Sequence, residues 1–281
     1  MKVLVTGVTG QLGYDVVQEL KKRNIDYLGV GSKDMNLVCL DKIKQVVIDY
    51  QPDTIIHCAA YTAVDKAEDE YGLAMDINAK GTLALAKVAR SIDAKLLYIS
   101  TDYVFNGEGE FPFSTTAEKK PLNTYGLSKL CGEQALQMVL EKHFIVRISW
   151  VFGKNGNNFI KTMLRLGQSK DTLSVVADQW GSPTYTADLA PLLCDMILSD
   201  KYGVYHATNE GVTNWADFAT YIMKVANISC NINSISSIEY PTKAIRPHNS
   251  RLDKSSLDIN GFHRLPDWKD AVDRYIQELR C

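Results

Sequence analysis

Residues Lys2-Val-Leu-Val-Thr-Gly-Val-Thr-Gly-Gln-Leu-Gly13 decide the fold that we expect for this chain. The apolar, β-branched run over residues 2–6 predicts a buried strand, and apolar residues then recur at helical spacing. Gly7, Gly10 and Gly13 stand between the two. Glycines let the backbone approach a pyrophosphate, and a helix N-terminus offers free N–H groups and a positive dipole end. The stretch therefore predicts a dinucleotide site, although its spacing is G-x-x-G-x-x-G; an ordinary tight turn is the alternative.

Strands and helices alternate along the first half of the chain. Further strands are predicted at residues 27–30, 54–60, 95–101 and 144–149, and helices at residues 41–50, 64–92 (interrupted near Gly72 and Gly81) and 126–141. This alternation is typical of a Rossmann-type α/β fold, a doubly wound parallel sheet with helices on both faces. Ligands bind at the carboxyl ends of the strands in such a sheet.

The regular pattern loosens after about residue 153. Asn155-Gly-Asn-Asn158 and several later prolines indicate loops. We therefore expect residues 1–153 to form a dinucleotide-binding domain that carries the catalytic residues. Residues 154–281 should form a smaller C-terminal substrate-binding part, with some elements returning to the sheet.

Composition limits the classes of function. The 281 residues carry a net charge of −2 without a basic run, which argues against nucleic acid as a partner. The six cysteines are scattered without a C-x-x-C pair, and the histidines show no metal-ligand spacing, so we expect reduced thiols and no metal site. The N-terminus leads directly into a strand, and no apolar run reaches the roughly 18 residues of a membrane span. We therefore expect a cytoplasmic protein without a signal peptide or membrane segment.

Tyr125 and Lys129 are the candidate acid–base pair. On a helix, residues four positions apart lie on one face, one turn apart. A lysine cation there can favour the phenolate, or hold the phenol as a proton donor near neutral pH. Such a pair is often only an exposed amphipathic pair. It gains weight here from the glycine turn upstream and from Thr101 at a predicted strand end.

Several stretches together resemble the extended short-chain dehydrogenase/reductase family over essentially the whole chain. They are Thr6–Gly13, Ala59–Glu68, Asn78, Ser100–Phe105, Tyr125–Lys129, Arg147–Trp150, Asp178–Thr184 and Arg246-Pro247. The glycine turn and the Tyr/Lys pair are shared by a very large superfamily. Ala59–Glu68 and Ser100–Phe105 are more specific, and are similar to the branch that reduces a keto group on a dTDP-sugar.

The resemblance implies roles for residues at the reacting centre. Tyr125 would donate a proton to the C4 carbonyl oxygen of the substrate, and Thr101 would bind and orient that oxygen. Lys129 would hydrogen-bond the nicotinamide ribose and lower the pKa of Tyr125. Asp102 and Trp150 would contact the sugar nucleotide. Purely structural roles stay open as alternatives. Thr101 could be a strand-end hydroxyl that bonds the local backbone, Asp102 a turn or cap residue, and Trp150 a core aromatic.

The resemblance also implies NADPH or NADH as the cofactor. The implied contacts are Gly7, Gly10, Gln11, Leu12 and Gly13 at the pyrophosphate, Asp34 and Met35 at the adenine, and Ala59, Ala60, Tyr61, Tyr125 and Lys129 towards the nicotinamide. The second strand ends in Val30-Gly-Ser-Lys33, without an acid where a ribose 2′-OH acceptor is expected. Ser32 and Lys33 could accept a 2′-phosphate instead, which favours NADPH. A solvated loop lysine is the alternative for Lys33.

The implied reaction reduces the C4 ketone of dTDP-6-deoxy-L-lyxo-4-hexulose to dTDP-L-rhamnose. A cation should hold the pyrophosphate of this sugar nucleotide, and Arg246 and Arg251 are candidates that the sequence does not separate. Mg²⁺ enters by resemblance alone, without a carboxylate cluster that would name its ligands, and a homodimer is open. The alternatives are another nucleotide-sugar ketoreductase or epimerase, and an NADP-binding regulatory subunit resembling that of methionine adenosyltransferase.

Overall fold

The computed structural model describes residues 1–280. Its strands are β1 Lys2–Thr6, β2 Asp26–Val30, β3 Thr54–His57, β4 Lys95–Thr101, β5 His143–Ile148, β6 Val151–Phe152, β7 Thr172–Val176, β8 Trp180–Gly181, β9 Thr184–Tyr185, β10 Gly203–His206, β11 Thr213–Asn214, β12 Asn231–Ile235 and β13 Asn249–Ser250. Its α-helices are α1 Gln11–Lys22, α2 Leu40–Tyr50, α3 Val64–Ala67, α4 Tyr71–Met75, α5 Thr82–Ser91, α6 Thr124–Val139, α7 Phe159–Gly167, α8 Thr186–Ile197, α9 Trp215–Ala226, α10 Ser255–Ile259 and α11 Trp268–Arg280. A π-helical segment, Asp76–Gly81, links α4 to α5, and short 3₁₀ turns lie at Asp102–Val104 and Ser237–Glu239.

Six parallel strands form the central sheet, in the order β2-β1-β3-β4-β5-β10. The chain passes from β1 to β2 on one side and then crosses to β3 on the other side of β1. The direction of winding therefore reverses between β1 and β3. In doubly wound sheets a ligand binds outside the carboxyl ends of the strands at such a switch point. The expected Rossmann-type parallel sheet is confirmed.

Helices cover both faces of this sheet. Because side chains alternate along a strand, Val3 and Val5 of β1 face one helix layer and Leu4 faces the other. Helices α1 and α8 pack on the first face, and α2, α5 and α6 pack on the second. All three of these β1 side chains are fully buried, as expected for a strand inside a parallel sheet.

The chain beyond residue 153 contributes to the sheet and also builds a core of its own. Strand β10 pairs with β5 at the edge of the sheet, and α8 packs against α1. A separate aromatic-rich core brings together α7, α9 and α11. The division into residues 1–153 and 154–281 stays a prediction. Within residues 1–280, no helix combines the length and the apolar character needed to span a bilayer.

Most predicted element bounds differ from the structure by one or two residues, and two differ more. The strand predicted at residues 54–60 ends at His57, so Ala59 and Ala60 lie in the loop beyond it. The helix predicted at residues 64–92 is divided among α3, α4, the π-helical segment and α5. Its break falls at residues 68–70, ahead of Gly72. The π segment then redirects the chain, and local insertions of this kind often lie beside functional sites.

Candidate active site

A cavity of about 750 Å³ runs along the carboxyl ends of β1, β3, β4 and β5. Its volume is within the range of small-molecule and cofactor sites. The sequence-predicted residues that line it are Gly7, Gly10, Gln11, Leu12, Gly13, Met35, Ala59, Ala60, Thr101, Asp102, Tyr125, Lys129 and Trp150. The structure therefore brings the glycine turn and the candidate acid–base residues to one site.

The glycine turn forms a cradle with no room for side chains. A side-chain carbon on Gly7 would lie 2.7 Å from the backbone nitrogen of Ala59, and Gly7 has φ +72°. A side-chain carbon on Gly13 would lie 2.7 Å from the carbonyl carbon of Gly7. Gly10 precedes α1 without a side-chain cap, and the first residues of that helix line the cavity, which leaves their N–H groups available to a ligand. These features fit the pyrophosphate of a dinucleotide.

The end of the cavity beside β2 differs in part from the sequence expectation. Ser32 and Met35 line it, but Asp34 does not. One carboxylate oxygen of Asp34 instead accepts the backbone N–H of Gly31 at 2.9 Å. Lys33 is exposed and is likewise not part of the lining. No carboxylate therefore lines this end of the cavity.

Helix α6 places Tyr125 and Lys129 on the cavity wall. Asn123 caps the helix, because its side-chain oxygen accepts the backbone N–H of Gly126 at 2.8 Å. The helix therefore begins at Thr124, two residues before the predicted start, and includes Tyr125 in its first turn. Lys129 follows one turn later on the same face.

Burial is the largest cause of the pKa shift of each residue in this pair. Burial raises the pKa of the Tyr125 phenol above its usual value of 10, and the Thr101 hydroxyl acts in the opposite direction. Burial lowers the pKa of Lys129 to about 7, while the carboxylate of Glu133 acts to raise it. The expectation that Lys129 lowers the pKa of Tyr125 stays a prediction. The Lys129 ammonium lies 4.0 Å from the centroid of the Tyr98 ring.

Asn78 supports Lys129 indirectly. Its side-chain amide donates to Ser128, the residue before Lys129, at 2.9 Å. Its backbone carbonyl accepts from the Tyr98 hydroxyl at 3.4 Å, and Tyr98 lies beneath the Lys129 ammonium. The same side chain bonds both backbone polar groups of Tyr61. Asn78 thus joins the π-helical segment to the wall that carries Lys129.

Thr101 and Asp102 lie together at the end of β4. The Thr101 hydroxyl donates to one carboxylate oxygen of Asp102 at 3.0 Å and accepts the backbone N–H of Tyr103 at 3.2 Å. Asp102 is only 3% exposed, and its second carboxylate oxygen has no partner in the described chain. Burial raises the pKa of Asp102 to about 6, against the opposing effect of the Ser250 and Thr101 hydroxyls.

Trp150 follows β5 in an unusual conformation. Its φ is +48°, in the left-handed region that residues other than glycine rarely adopt. Its backbone carbonyl accepts the N–H of Thr184 at 3.1 Å, which holds this conformation. Trp215 stacks on its indole, with ring centroids 3.7 Å apart and planes at 15°. Both indoles line the cavity, and no motif in the sequence indicated Trp215.

Arg246 is the arginine that reaches the cavity. Its guanidinium donates to a carboxylate oxygen of Asp65 at 2.7 Å and to the hydroxyl of Tyr103 at 3.4 Å. Arg251 instead lies over the ring of Trp180, at 5.3 Å from its centroid. The structure thus separates the two arginines that the sequence left equivalent.

One further predicted residue lies away from the cavity, and several lining residues were not predicted. The hydroxyl of Tyr61 donates to Glu70 at 2.6 Å, and Tyr61 is absent from the lining. Additional lining residues include Asn36, Leu37, Cys58, Thr62, Val64, Asn157 and Trp215. Asn36 and Thr62 each lie one residue from a predicted contact, but Asn157 and Trp215 come from the C-terminal part. Within residues 1–280, no three His, Cys, Asp or Glu side chains come together as metal ligands.

Known proteins resemble this chain over its full length. A family model described as the RmlD substrate binding domain matches residues 1–281. The dTDP-4-dehydrorhamnose reductase of Escherichia coli K12 is 39% identical, over 99% of this chain and 98% of that protein. The crystal structure of a dTDP-4-dehydrorhamnose reductase from Clostridium acetobutylicum has a TM-score of 0.98 at 38% identity, with 100% of both chains covered.

A second solved structure bears on the cofactor. The dTDP-4-dehydrorhamnose reductase of Bacillus anthracis, in complex with NADP, has a TM-score of 0.96 at 42% identity, with 99% of each chain covered. Agreement at this level extends from the glycine turn through the C-terminal elements. On these matches, the chain belongs to the RmlD substrate-binding family.

Proposed function

We propose that this chain is an NADPH-dependent oxidoreductase that reduces the C4 ketone of dTDP-6-deoxy-L-lyxo-4-hexulose to dTDP-L-rhamnose. The observation that carries the proposal is the meeting of Thr101, Tyr125 and Lys129 in one cavity with a glycine cradle. A ketone reduction needs a hydride donor, a proton donor and a group that orients the carbonyl, and this cavity provides a place for each. The choice of ketone follows from the reductases to which the chain is similar.

The cofactor fits the residues present. Gly7, Gly10 and Gly13 would hold its pyrophosphate against the start of α1, and Ala59 and Ala60 would lie beside the nicotinamide. The bound nicotinamide supplies the hydride that reduces the ketone. The remaining tasks belong to side chains of this chain: holding the sugar, orienting the carbonyl and delivering a proton to its oxygen.

Tyr125 is the proposed proton donor. Its phenol is protonated at neutral pH, as that of an ordinary tyrosine is, so it can give up a proton when the carbonyl oxygen becomes strongly basic. The Lys129 cation then lies one helical turn from the phenolate that remains. Because the pKa of Lys129 is about 7, part of the population carries that charge at neutral pH. A ribose hydroxyl beside the ammonium would favour the charged form further.

Thr101 has two hydrogen-bonding arrangements available. Its proton is directed to Asp102 in this structure. Rotation about the side-chain bond would direct the same proton to a carbonyl oxygen, which would then be oriented towards Tyr125. Asp102 would in turn accept a sugar hydroxyl on its unpartnered oxygen. The sugar hydroxyl would satisfy the one buried oxygen of this pair that lacks a partner, and would compensate the carboxylate for the bond that Thr101 redirects to the carbonyl oxygen.

Arg246 is the proposed contact for the pyrophosphate of the sugar nucleotide. It lines the cavity and is half-buried, and Asp65 and Tyr103 hold its guanidinium. A planar guanidinium suits phosphate oxygens because it can donate two parallel hydrogen bonds. Ser32, and Lys33 after a change of rotamer, would lie near a 2′-phosphate, which favours NADPH over NADH. The dTDP-sugar is the proposed partner and the cytoplasm the proposed location; a homodimer stays a prediction, and no step is assigned to Mg²⁺.

The test supplies the keto sugar in situ. The purified protein is mixed with the upstream epimerase, its substrate and NADPH, and the products are separated by chromatography. Loss of NADPH absorbance together with a dTDP-L-rhamnose peak is expected. An epimer of the sugar without NADPH consumption would support the epimerase alternative. NADPH binding without turnover of any keto sugar would support the regulatory-subunit alternative.

A further inference from the structure

The indole of Trp150 is enclosed by two residues that the proposed roles do not use. On one side Trp215 stacks at 3.7 Å. Gly181 also approaches it: a side-chain carbon there would lie 2.9 and 3.0 Å from two carbons of the indole, tighter than van der Waals contact allows. The indole therefore sits in a slot that only a glycine at position 181 leaves open.

Trp215 is itself fixed from outside the cavity. It is the first residue of α9, and Asn214 caps that helix by accepting the backbone N–H of Asp217 at 2.8 Å. Phe159 of α7 contacts its ring, with centroids 4.6 Å apart. Two helices of the C-terminal core thus set the position of an indole that reaches the cavity beside β4 and β5.

This arrangement changes the sequence-based view of Trp150. The resemblance implied only that Trp150 contacts the sugar nucleotide. The stack with Trp215 covers one of its two faces, so the sugar meets a composite wall built from both indoles. The strained φ of Trp150 also requires surrounding structure that holds it.

We propose that Trp215 is a positioning and specificity-determining residue, which locks Trp150 against Gly181 and completes the apolar wall for the 6-deoxysugar. The inference rests on the proposed function, because it takes that sugar as the ligand. A planar ring is the property that matters, since offset stacking needs two flat π-systems. An aliphatic side chain occupies part of the space but offers no flat surface on which the Trp150 indole can stack.

Two substitutions at one position separate stacking from simple space filling. Trp215→Phe keeps a planar ring, and Trp215→Leu puts in its place an apolar side chain that is closer in size to Phe than to Trp and has no plane. Trp180→Ala is the matched control, because Trp180 is 37% exposed and does not line the cavity. For each variant we would measure kcat, KM for the keto sugar, Kd for dTDP-L-rhamnose by calorimetry, Kd for NADPH, and the thermal midpoint.

The expected result is a rise of about tenfold in KM and in the Kd for dTDP-L-rhamnose with Trp215→Leu. Trp215→Phe and Trp180→Ala should stay within about threefold of the native protein, and NADPH affinity should not change in any variant.

Trp215→Leu with native KM and native sugar affinity would overturn the inference. Equal losses in Trp215→Leu and Trp215→Phe would also overturn it, because the planar ring would then have no special role. Failure of the proposed function has a different signature: the native protein itself would neither bind dTDP-L-rhamnose nor turn over the keto sugar.

Discussion

At the scale of single residues, burial rather than the four-residue spacing sets the direction of the pKa shifts of Tyr125 and Lys129. The four-residue spacing correctly placed both on one face of α6. It could not predict the sign of the Tyr125 pKa shift, because that sign depends on burial by residues distant in sequence. A raised pKa makes the phenol a weaker acid, so proton transfer from Tyr125 depends on the strong basicity that the carbonyl oxygen gains during the reduction.

Tyr125→Phe removes the phenolic proton and keeps the ring. We expect kcat to fall at least about 100-fold, as for the loss of a general acid. NADPH affinity should stay within about twofold, since the ring still fills its place in the wall. Stopped-flow absorbance and a fluorescence titration measure the two quantities. Near-native turnover would remove Tyr125 from the assigned role.

Asp102 should make the stability of the protein depend on pH. Its pKa is about 6 in the folded protein and near 3.8 when unfolded, so the folded state binds this proton more tightly. The contribution of Asp102 to stability is therefore greatest below pH 4 and is lost as pH rises through 6. The difference between the folded and unfolded pKa values of Asp102 corresponds to about 3 kcal/mol in the free energy of unfolding.

Asp102→Asn abolishes this titration. Relative to Asp102→Asn, the native protein should lose up to about 3 kcal/mol in free energy of unfolding between pH 4 and pH 7. Urea unfolding at several pH values gives the difference, and Asp49→Asn on the exposed face of α2 controls for removal of a carboxylate. Parallel pH curves for the native protein and Asp102→Asn would contradict the raised pKa.

At the scale of elements, the turn between β1 and α1 depends on close backbone contact. Gly13→Ala places a carbon against the backbone of Gly7, and a backbone atom cannot rotate away. We expect NADPH affinity to fall at least about tenfold. Gly72→Ala is the matched control, because Gly72 is an exposed residue of α4 and nothing lies within 4 Å of the new carbon. It should keep NADPH affinity and raise the free energy of unfolding by about 0.5–1 kcal/mol. Equal NADPH affinity in the two variants would contradict the proposal that the glycine turn holds the pyrophosphate of the cofactor.

The sequence predicted the elements that have a strong local signal. The strands that carry Gly7, Thr101 and Trp150 to the cavity were recognised from short apolar runs. Trp215 and Arg246 were not assigned, because they reach the cavity through packing of the C-terminal part, which leaves no periodic pattern. The side-chain direction of Asp34 was also not predictable, since it depends on a local bond to Gly31.

At the scale of the whole molecule, one buried ion pair joins the elements around the site. Glu133 of α6 and Arg147 of β5 form a bidentate pair, with both side chains at most 2% exposed. The Ser100 hydroxyl of β4 donates to the same carboxylate at 2.5 Å. The pair therefore ties the helix of Lys129 to the two strands that lead to Thr101 and Trp150.

Removing one member leaves the other as an uncompensated buried charge. We expect Arg147→Met alone to lower the free energy of unfolding by about 3–5 kcal/mol. The double change Glu133→Leu with Arg147→Met should recover a large part of that loss, because no unpaired charge remains. Equilibrium urea unfolding measures both. If the loss in free energy of unfolding in the double variant equals the sum of the losses in Glu133→Leu and Arg147→Met, the two charges act independently and the prediction is wrong.

The central claim is that NADPH bound in this cavity transfers hydride to C4 of a dTDP-sugar, with Tyr125 as the proton donor. Its most direct test uses NADPH deuterated on the transferred position, with the keto sugar supplied in situ and the product analysed by NMR. The account predicts one deuterium at C4 of dTDP-L-rhamnose, with one NADPH consumed for each product, and at least about 100-fold slower labelling by Tyr125→Phe. Unlabelled product, an epimer formed without net NADPH loss, or native labelling by Tyr125→Phe would contradict it.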